Sequence, residues 1–368
     1  MRVGIVGGGQ LARMLALAGH RLGITCVTLD PQANSPAAQV GPAIVGAYDD
    51  EASLSALAAA SDVATYEFEN VPVDSARFLA ARVPVHPPPE ALAGAQDRLA
   101  EKTLFAEASL VAAPFVGVDD AGDLSEAIDV VGLPAVLKAR RLGYDGKGQV
   151  VIRDRRLAED AWRTIGATPS ILEAHVPFDR ELSILGVRDQ SGVTAFYPLV
   201  ENEHSRGILR MTLAPAPRLT PDLQRRTERL AIAVMDRLAY VGVLAIELFQ
   251  VGEDLLANEL APRVHNSGHW TIEGASTSQF ENHLRAVTGL PLGPTESTHA
   301  YAGMANLFGD EPDLGDLLAA IPDAHVHLYG KQARPGRKLG HVTVLGEDAE
   351  KLSEKLLQVR SFSPDVSP

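Results

Sequence analysis

The chain has 368 residues, 46% hydrophobic and 22% charged, a balance that suits folded domains and excludes a disordered polymer. A formal charge of −14 argues against a nucleic-acid partner, although a pocket for a small anion needs only a few local cations. One cysteine, Cys26, excludes a disulfide framework and a multi-thiolate metal site, and no apolar run reaches the roughly 18 residues of a membrane span.

The opening residues RVGIV (2–6) enter a strand pattern directly, without the longer apolar stretch of a secretory signal, so a cytoplasmic protein with no membrane partner is expected. A helix is predicted over Gln10–Arg21, with Leu11, Met14, Leu15 and Ala18 on one face. Strands at 24–29, 43–45 and 63–66 alternate with helices near 51–60 and 73–82, the mark of a parallel sheet covered on both faces. This first unit, 1–95, ends at Val85-His86-Pro87-Pro88-Pro89. Asp97 then caps a helix to about residue 108. A strand at 134–139, a glycine-rich loop at 143–148, a strand at 149–153, a helix at 156–165 and a strand at 170–175 make a second unit, 96–178. The third, 179–368, has strands at 181–188, 193–201, 207–213, 243–250 and 254–260 around a helix at 221–238. Further strands at 301–307, 325–329 and 341–345, a helix at 348–358 and a frayed tail at 361–368 complete it. The fold class is therefore α/β at the start and α+β afterwards.

Five stretches carry chemistry. Gly7-x-Gly9-x-x-Ala12, with Asp30 closing the second strand, fits a dinucleotide fingerprint, but such a loop also serves other anions or simply lets strand and helix pack closely. Lys138 leads from a strand into Gly143-Tyr144-Asp145-Gly146-Lys147-Gly148-Gln149, where backbone N–H groups can cradle phosphates; a solvated hairpin is the plainer alternative. Glu247 and Glu259 lie among apolar residues on consecutive strands. Buried carboxylates need a partner or a cation, and with Asn258 they offer hard oxygen ligands for Mg²⁺. The loop Arg263-Val264-His265-Asn266-Ser267-Gly268-His269-Trp270 concentrates polar groups without periodicity. His265 and His269 could bind a metal, but the lack of further ligands in the loop favours anion recognition, with Arg263 able to grip an oxyanion bidentately. Lys331, Arg334, Arg337 and Lys338 fall in a Gly/Pro-rich stretch read as a phosphate-binding turn or as a solvated hairpin. His325 and His327 share a strand face and receive no role.

In this order, GGGQLARM, LKARRLGYDGKGQ, YPLVENEHSRGILR, VGVLAIELF, NELAPRVHNSGHW and RPGRKLGH resemble the ATP-grasp superfamily. Within it the resemblance is to the N5-carboxyaminoimidazole ribonucleotide synthetases of purine biosynthesis, over about residues 2–345. It implies an ATP-grasp fold behind an N-terminal Rossmann-like pre-ATP-grasp domain, with ATP held between the second and third units. The implied chemistry joins bicarbonate to 5-aminoimidazole ribonucleotide through carboxyphosphate, with ATP and Mg²⁺ or Mn²⁺ as cofactors, in a homodimer. The resemblance implies that Arg98, Lys138, Gly143–Gln149 (Tyr144, Asp145, Gly146, Lys147 and Gly148 included), Glu173, Ala174, His175, Val176, Glu181, His204, Asn258 and Glu259 bind ATP. Glu247 and Glu259 would hold the metal. Arg263, His265 and Asn266 would hold bicarbonate and, with Lys138 and Asp145, form the catalytic set. Gln10, Glu67, Glu69, Tyr144, Asp145, Ser267, Lys331, Arg337 and Lys338 would place the ribonucleotide. Two enzyme rivals are a formate-dependent glycinamide ribonucleotide formyltransferase of the same superfamily and an NAD-dependent dehydrogenase. A non-catalytic interaction protein is a third.

Overall fold

In the computed structural model, which describes residues 1–143 and 148–363, three sheets succeed one another along the chain. The first pairs β1 (Arg2–Val6), β2 (Thr25–Asp30), β3 (Ala43–Val45) and β4 (Val63–Tyr66) in parallel, in the order β3-β2-β1-β4. β1 is buried from Val3 to Val6, which is why it reads as a continuous apolar run rather than an alternating one. Helix α1 (Gln10–Arg21) buries Leu11, Met14 and Leu15, as its periodicity predicts. α2 (Glu51–Ala59), α3 (Val73–Ala80) and α4 (Pro89–Gln96) follow, the last starting on the proline run because proline suits a first helical turn.

The second sheet is antiparallel. Asp97 caps α5 (Arg98–Glu107) by accepting from the Leu99 and Ala100 N–H groups. Next come β5 (Phe115–Val118), α6 (Asp123–Val131), β6 (Ala135–Ala139), β7 (Gln149–Ile152), α7 (Ala158–Thr164) and β8 (Ser170–Ala174), in sheet order β5-β8-β6-β7. The sequence reading did not mark β5 or α6.

The third sheet has nine antiparallel strands. β9 (Arg180–Arg188), β10 (Thr194–Phe196), β11 (Val200–Ser205) and β12 (Ile208–Ala214) precede α8 (Pro221–Arg237), β13 (Gly242–Val251) and β14 (Asp254–Ala261). Then come α9 (Thr271–Gly274), α10 (Gln279–Val287), β15 (Tyr301–Gly309), α11 (Leu314–Ala320), β16 (His325–Leu328), β17 (Arg334–Gly346) and α12 (Ala349–Ser361). The order is β14-β13-β9-β11-β12-β15-β17-β16, with β10 beside β9.

Three expectations are corrected. The strand expected at 193–201 is broken after Phe196, because Pro198 has no N–H to give to a ladder. The strand expected at 341–345 already begins at Arg334 and pairs irregularly with β15, while the basic stretch, read as a phosphate-binding turn or a solvated hairpin, lies at the tip of the antiparallel pair β16–β17. The tail expected to fray from 361 is anchored as far as Ser363, whose hydroxyl accepts from Phe308 N at 2.6 Å; residues 364–368 lie outside the described residues.

Helix α10 joins the first unit to the third. Its Phe280 and Leu284 share one core with Leu11 and Leu15 of α1 and Val243 of β13. His283 accepts from Val243 N at 3.1 Å through Nδ1, so its Nε2 proton faces the Thr65 hydroxyl of β4 at 3.0 Å. Burial drives this imidazole down to about 3, so it stays neutral. Replacing His283 by Ala orphans two buried groups and leaves a cavity. We expect a loss of about 2–4 kcal/mol, read as a lower denaturant midpoint. An unchanged midpoint would contradict this account of the junction.

Candidate active site

Antiparallel pairing places Glu247 of β13 directly opposite Glu259 of β14, beside a bulge that follows Glu247. Side chains of directly opposed residues project to the same face, so two like charges meet there, an arrangement that costs stability unless something compensates it. Burial, reinforced by Glu259 and Glu181 and opposed by His204, pushes the Glu247 carboxyl up to about 7. Arg98 Nη1 lies 3.4 Å from Glu259 Oε2. His265 Nε2 lies 3.5 Å from Glu247 Oε1. The His265 Nδ1 accepts from Ser267 N at 3.4 Å and sits 2.8 Å from its hydroxyl, so Nε2 carries the proton that faces Glu247.

The pair opens into a cleft of about 800 Å³ lined from all three sheets. The second sheet contributes Lys138, Gln149, Glu173, Ala174, His175 and Val176. The third contributes Glu181, His204, Glu247, Asn258, Glu259, Arg263, His265, Asn266 and Lys338, and the first Gln10, Glu67 and Glu69. Glu181 Oε2 and His204 Nδ1 are 2.9 Å apart on neighbouring strands. The guanidinium of Arg263 directs Nε and Nη2 to Glu69 Oε2, both at 2.6 Å. Asn266 has both amide atoms buried with no hydrogen-bond partner among the described residues, and its side chain borders the cleft. Such an amide is poised for a ligand with both donor and acceptor atoms.

Several expected residues are engaged by other groups of the protein. Glu173, expected at the adenine, borders the cleft and keeps its carboxylate on Lys138 at 2.9 Å and near Lys102 at 3.6 Å. Against the upward push of burial, these cations hold it below the usual carboxylate range. Ser267 is fully buried behind His265 and does not border the cleft, because its hydroxyl is taken up by that ring. Arg337 turns to the Gln332 carbonyl at 3.2 Å. Lys331 donates to the Gln10 side chain at the start of α1. Gly143 borders a small pocket next to Arg98 and Glu259, and the Gly148 carbonyl accepts from Ala139 N at 2.8 Å. Tyr144, Asp145, Gly146 and Lys147 lie outside the described residues.

The glycine fingerprint does not hold a dinucleotide here. The Glu67 carboxylate caps the start of α1, accepting from Gly9 N and from Leu11 N at 3.1 Å. It sits where a pyrophosphate would have to be. A Cβ on Gly9 would lie 2.2 Å from Glu67 Oε1, so this glycine is required for the carboxylate's close approach. Asp30 is likewise engaged, by Gly8 N at 2.9 Å and the Tyr48 hydroxyl at 2.8 Å.

The sequence reading also passed over residues that shape the cleft. Phe178 and Phe249 stack at 4.6 Å and 3°, forming a flat apolar wall. Phe249 follows Glu247 by two residues on β13, so the strand period already assigns it the same face. On α5, Glu101 accepts from Leu260 N at 2.5 Å and Lys102 donates to the Asn258 carbonyl at 2.6 Å, both holding β14 from behind.

The donor set fits a divalent cation: two facing carboxylates, one kept partly protonated by burial, beside a nest of cations able to receive phosphates. No group of three His, Cys, Asp or Glu among the described residues forms a cage of its own. An ion held here therefore completes its shell with phosphate and water, the habit of Mg²⁺.

Comparison with known proteins agrees with this geometry. Residues 103–280 match the family model described as ATP-grasp domain, 1–96 that of the ribonucleotide synthetase preATP-grasp domain, and 302–355 that of the phosphoribosylaminoimidazole carboxylase C-terminal domain. The chain is 47% identical over 362 residues to the N5-carboxyaminoimidazole ribonucleotide synthase of Pseudomonas aeruginosa, covering 98% of this chain and 99% of that one. The crystal structure of the N5-carboxyaminoimidazole ribonucleotide synthetase from Thermus thermophilus superposes with a TM-score of 0.94 at 51% identity, covering 100% of this chain and 99% of the other. The synthase of Aspergillus clavatus, solved with ADP and 5-aminoimidazole ribonucleotide, superposes at 0.91 with 29% identity and 98% coverage of both chains.

A carboxyl raised to about 7 must lose its proton when a cation binds. Mn²⁺ affinity should therefore fall by about tenfold per pH unit well below 7, and Glu247→Gln should remove that slope. Titration of Mn²⁺ at pH 7.5, 6.5 and 5.5 checks this; a slope shared by the variant would contradict it.

Proposed function

This chain belongs to the N5-carboxyaminoimidazole ribonucleotide synthase family of ATP-grasp ligases, and from that premise we propose how its cleft works. The enzyme uses ATP and bicarbonate to carboxylate 5-aminoimidazole ribonucleotide in purine biosynthesis, giving N5-carboxyaminoimidazole ribonucleotide, ADP and phosphate. The observation that carries the assignment of roles is the facing pair Glu247 and Glu259 in a cleft shared with Lys138, Arg98 and Arg263.

In our reading Ala174, His175 and Val176 border the adenine, with Phe178 and Phe249 as its apolar wall, and Glu181 and His204 face the ribose. Lys138, Arg98 and Gln149 meet the phosphates, a part the family resemblance also gives to residues 143–148. Glu247 and Glu259, beside Asn258, would hold Mg²⁺, which supplies charge neutralisation across the phosphates when bound. Arg263, His265 and Asn266 seat bicarbonate. Glu69 marks that seat, because its carboxylate occupies the side of the guanidinium that a planar oxyanion takes. Ser267 orients His265 rather than touching substrate. Gln10, Glu67, Lys331 and Lys338 surround the ribonucleotide, with Tyr144, Asp145 and Arg337 carried over from the family resemblance.

Bicarbonate is a poor electrophile. Attack of its oxygen on the γ-phosphorus, with ADP leaving, gives carboxyphosphate. The amine of the ribonucleotide then takes the carboxyl carbon, either of carboxyphosphate as phosphate leaves or of the CO₂ set free with phosphate, and the nitrogen loses a proton. Fixed cations facing the developing charge stabilise both steps without reorganising at the moment of reaction. We further assign three domains, 1–95, 96–178 and 179–368, one to each sheet. We place the protein in the cytoplasm as a homodimer. The cytoplasmic placement follows from the pathway, and no described helix is long and apolar enough to cross a membrane.

Arg263→Ala should lower bicarbonate-dependent phosphate release by about 10²–10³-fold while ATP affinity stays within about threefold. Phosphate release is measured with bicarbonate and ribonucleotide omitted in turn, and with formate in place of bicarbonate. Undiminished turnover in the variant refutes the role of Arg263. Equal turnover with formate would favour the formyltransferase chemistry.

A further inference from the structure

Lys102 has no role in the scheme above, yet it is among the most deeply buried charges of the chain, 1% exposed on the inner face of α5. Its ammonium donates to the Asn258 carbonyl at 2.6 Å and lies 3.5 Å from that of Ala257, so β14 fixes its position. It also lies 3.6 Å from Glu173 Oε2 on β8. One cation thus touches both walls of the cleft. Glu173 is the carboxylate that holds Lys138, at 2.9 Å, and its other oxygen has no hydrogen-bond partner among the described residues.

This arrangement poses an electrostatic problem. Lys138 borders the cleft and must turn its charge toward the incoming phosphates. Doing so withdraws it from Glu173, whose side chain is only 4% exposed. A buried carboxylate left without a counter-ion is strongly disfavoured, so Glu173 alone would hold Lys138 back and compete with the nucleotide. A second ammonium, anchored to a different wall and unable to follow the phosphates, removes that conflict.

We propose that Lys102 is a positioning residue for nucleotide binding: it retains Glu173 when Lys138 turns to the phosphates, and it ties β8 of the second sheet to β14 of the third, the strand that carries Asn258 and Glu259. The inference rests on the reading of Lys138 as a phosphate ligand. It assigns to Lys102 no contact with substrate.

A double-mutant cycle in the full-length enzyme separates this role from mere packing. Lys102→Met should raise the KM for ATP by about 10–100-fold while the KM for the ribonucleotide stays within about threefold. In a Glu173→Gln background, where no carboxylate is left to hold Lys138, the same Lys102→Met change should alter the ATP KM by less than about threefold. Neither chain of that background holds a stranded Glu173 carboxylate, so the pair reports even if the single Lys102→Met chain fails to fold; Lys102 and Lys138 lose their salt-bridge partner there, and retained ATP turnover shows that these chains fold. A tenfold or larger rise there, or equal rises in both backgrounds, would overturn the proposal and leave Lys102 as a structural tie to β14. Lys138→Met is measured alongside: an unaltered ATP KM in that variant would overturn the phosphate role itself, a failure distinct from that of Lys102.

Discussion

Two carboxylates opposed across neighbouring strands set the terms for everything around them. The repulsion of Glu247 and Glu259 costs stability unless it is relieved, and it is relieved in graded ways, one of them water at Glu259, whose side chain is 44% exposed. Burial holds the Glu247 carboxyl above the usual carboxylate range, Arg98 approaches Glu259, and the neutral His265 turns its Nε2 proton toward Glu247. None of these removes the negative field altogether. What remains is the place our proposal gives to a divalent cation, beside the fixed cations Arg98, Lys138 and Arg263 that it gives to the anions.

The rest of the molecule serves this place by bringing three walls to it. The large sheet supplies the carboxylates and, after β14, the loop with Arg263, His265 and Asn266. The small antiparallel sheet supplies Lys138 and the 174–176 segment. The parallel sheet presents the start of α1, where Glu67 closes the helix end and Gln10 meets Lys331 from the far side of the cleft. The junctions between walls are polar and buried, His283 with Thr65 in one case and Lys102 with Glu173 and Asn258 in another. Apolar packing alone would hold the walls together, but directional bonds also fix how they face each other.

Much of the architecture could be read from the sequence because local signals agree with the final packing. β1, α1 and the Asp97 cap follow from apolar runs, helical periodicity and side-chain capping. The pairing of Glu247 with Glu259 was readable because both lie among apolar residues on consecutive strands. Other features were hidden for reasons just as physical. α10 buries Gln279, Asn282 and His283 as well as Phe280 and Leu284, so its contact surface extends beyond the apolar stripe that a sequence pattern shows. The role of Glu67 depends on a helix end brought to it across the sheet, and that of Ser267 on the ring of His265. The pairing of Glu173 with Lys138 and Lys102 joins three segments whose spacing in the chain says nothing of their contact. The dinucleotide fingerprint shows the converse failure: its glycines are real, but Glu67 fills the space that would define its ligand.

The central claim is that the opposed carboxylates receive the metal of a nucleotide whose phosphates meet Lys138. A crystal structure of the enzyme with Mg²⁺ and a non-hydrolysable ATP analogue tests it most directly. The account predicts the ion within bonding distance of both Glu247 and Glu259, and Lys138 turned from Glu173 to a phosphate oxygen. An ion seated away from the two carboxylates, or phosphates bound on another face of the sheet, would contradict it.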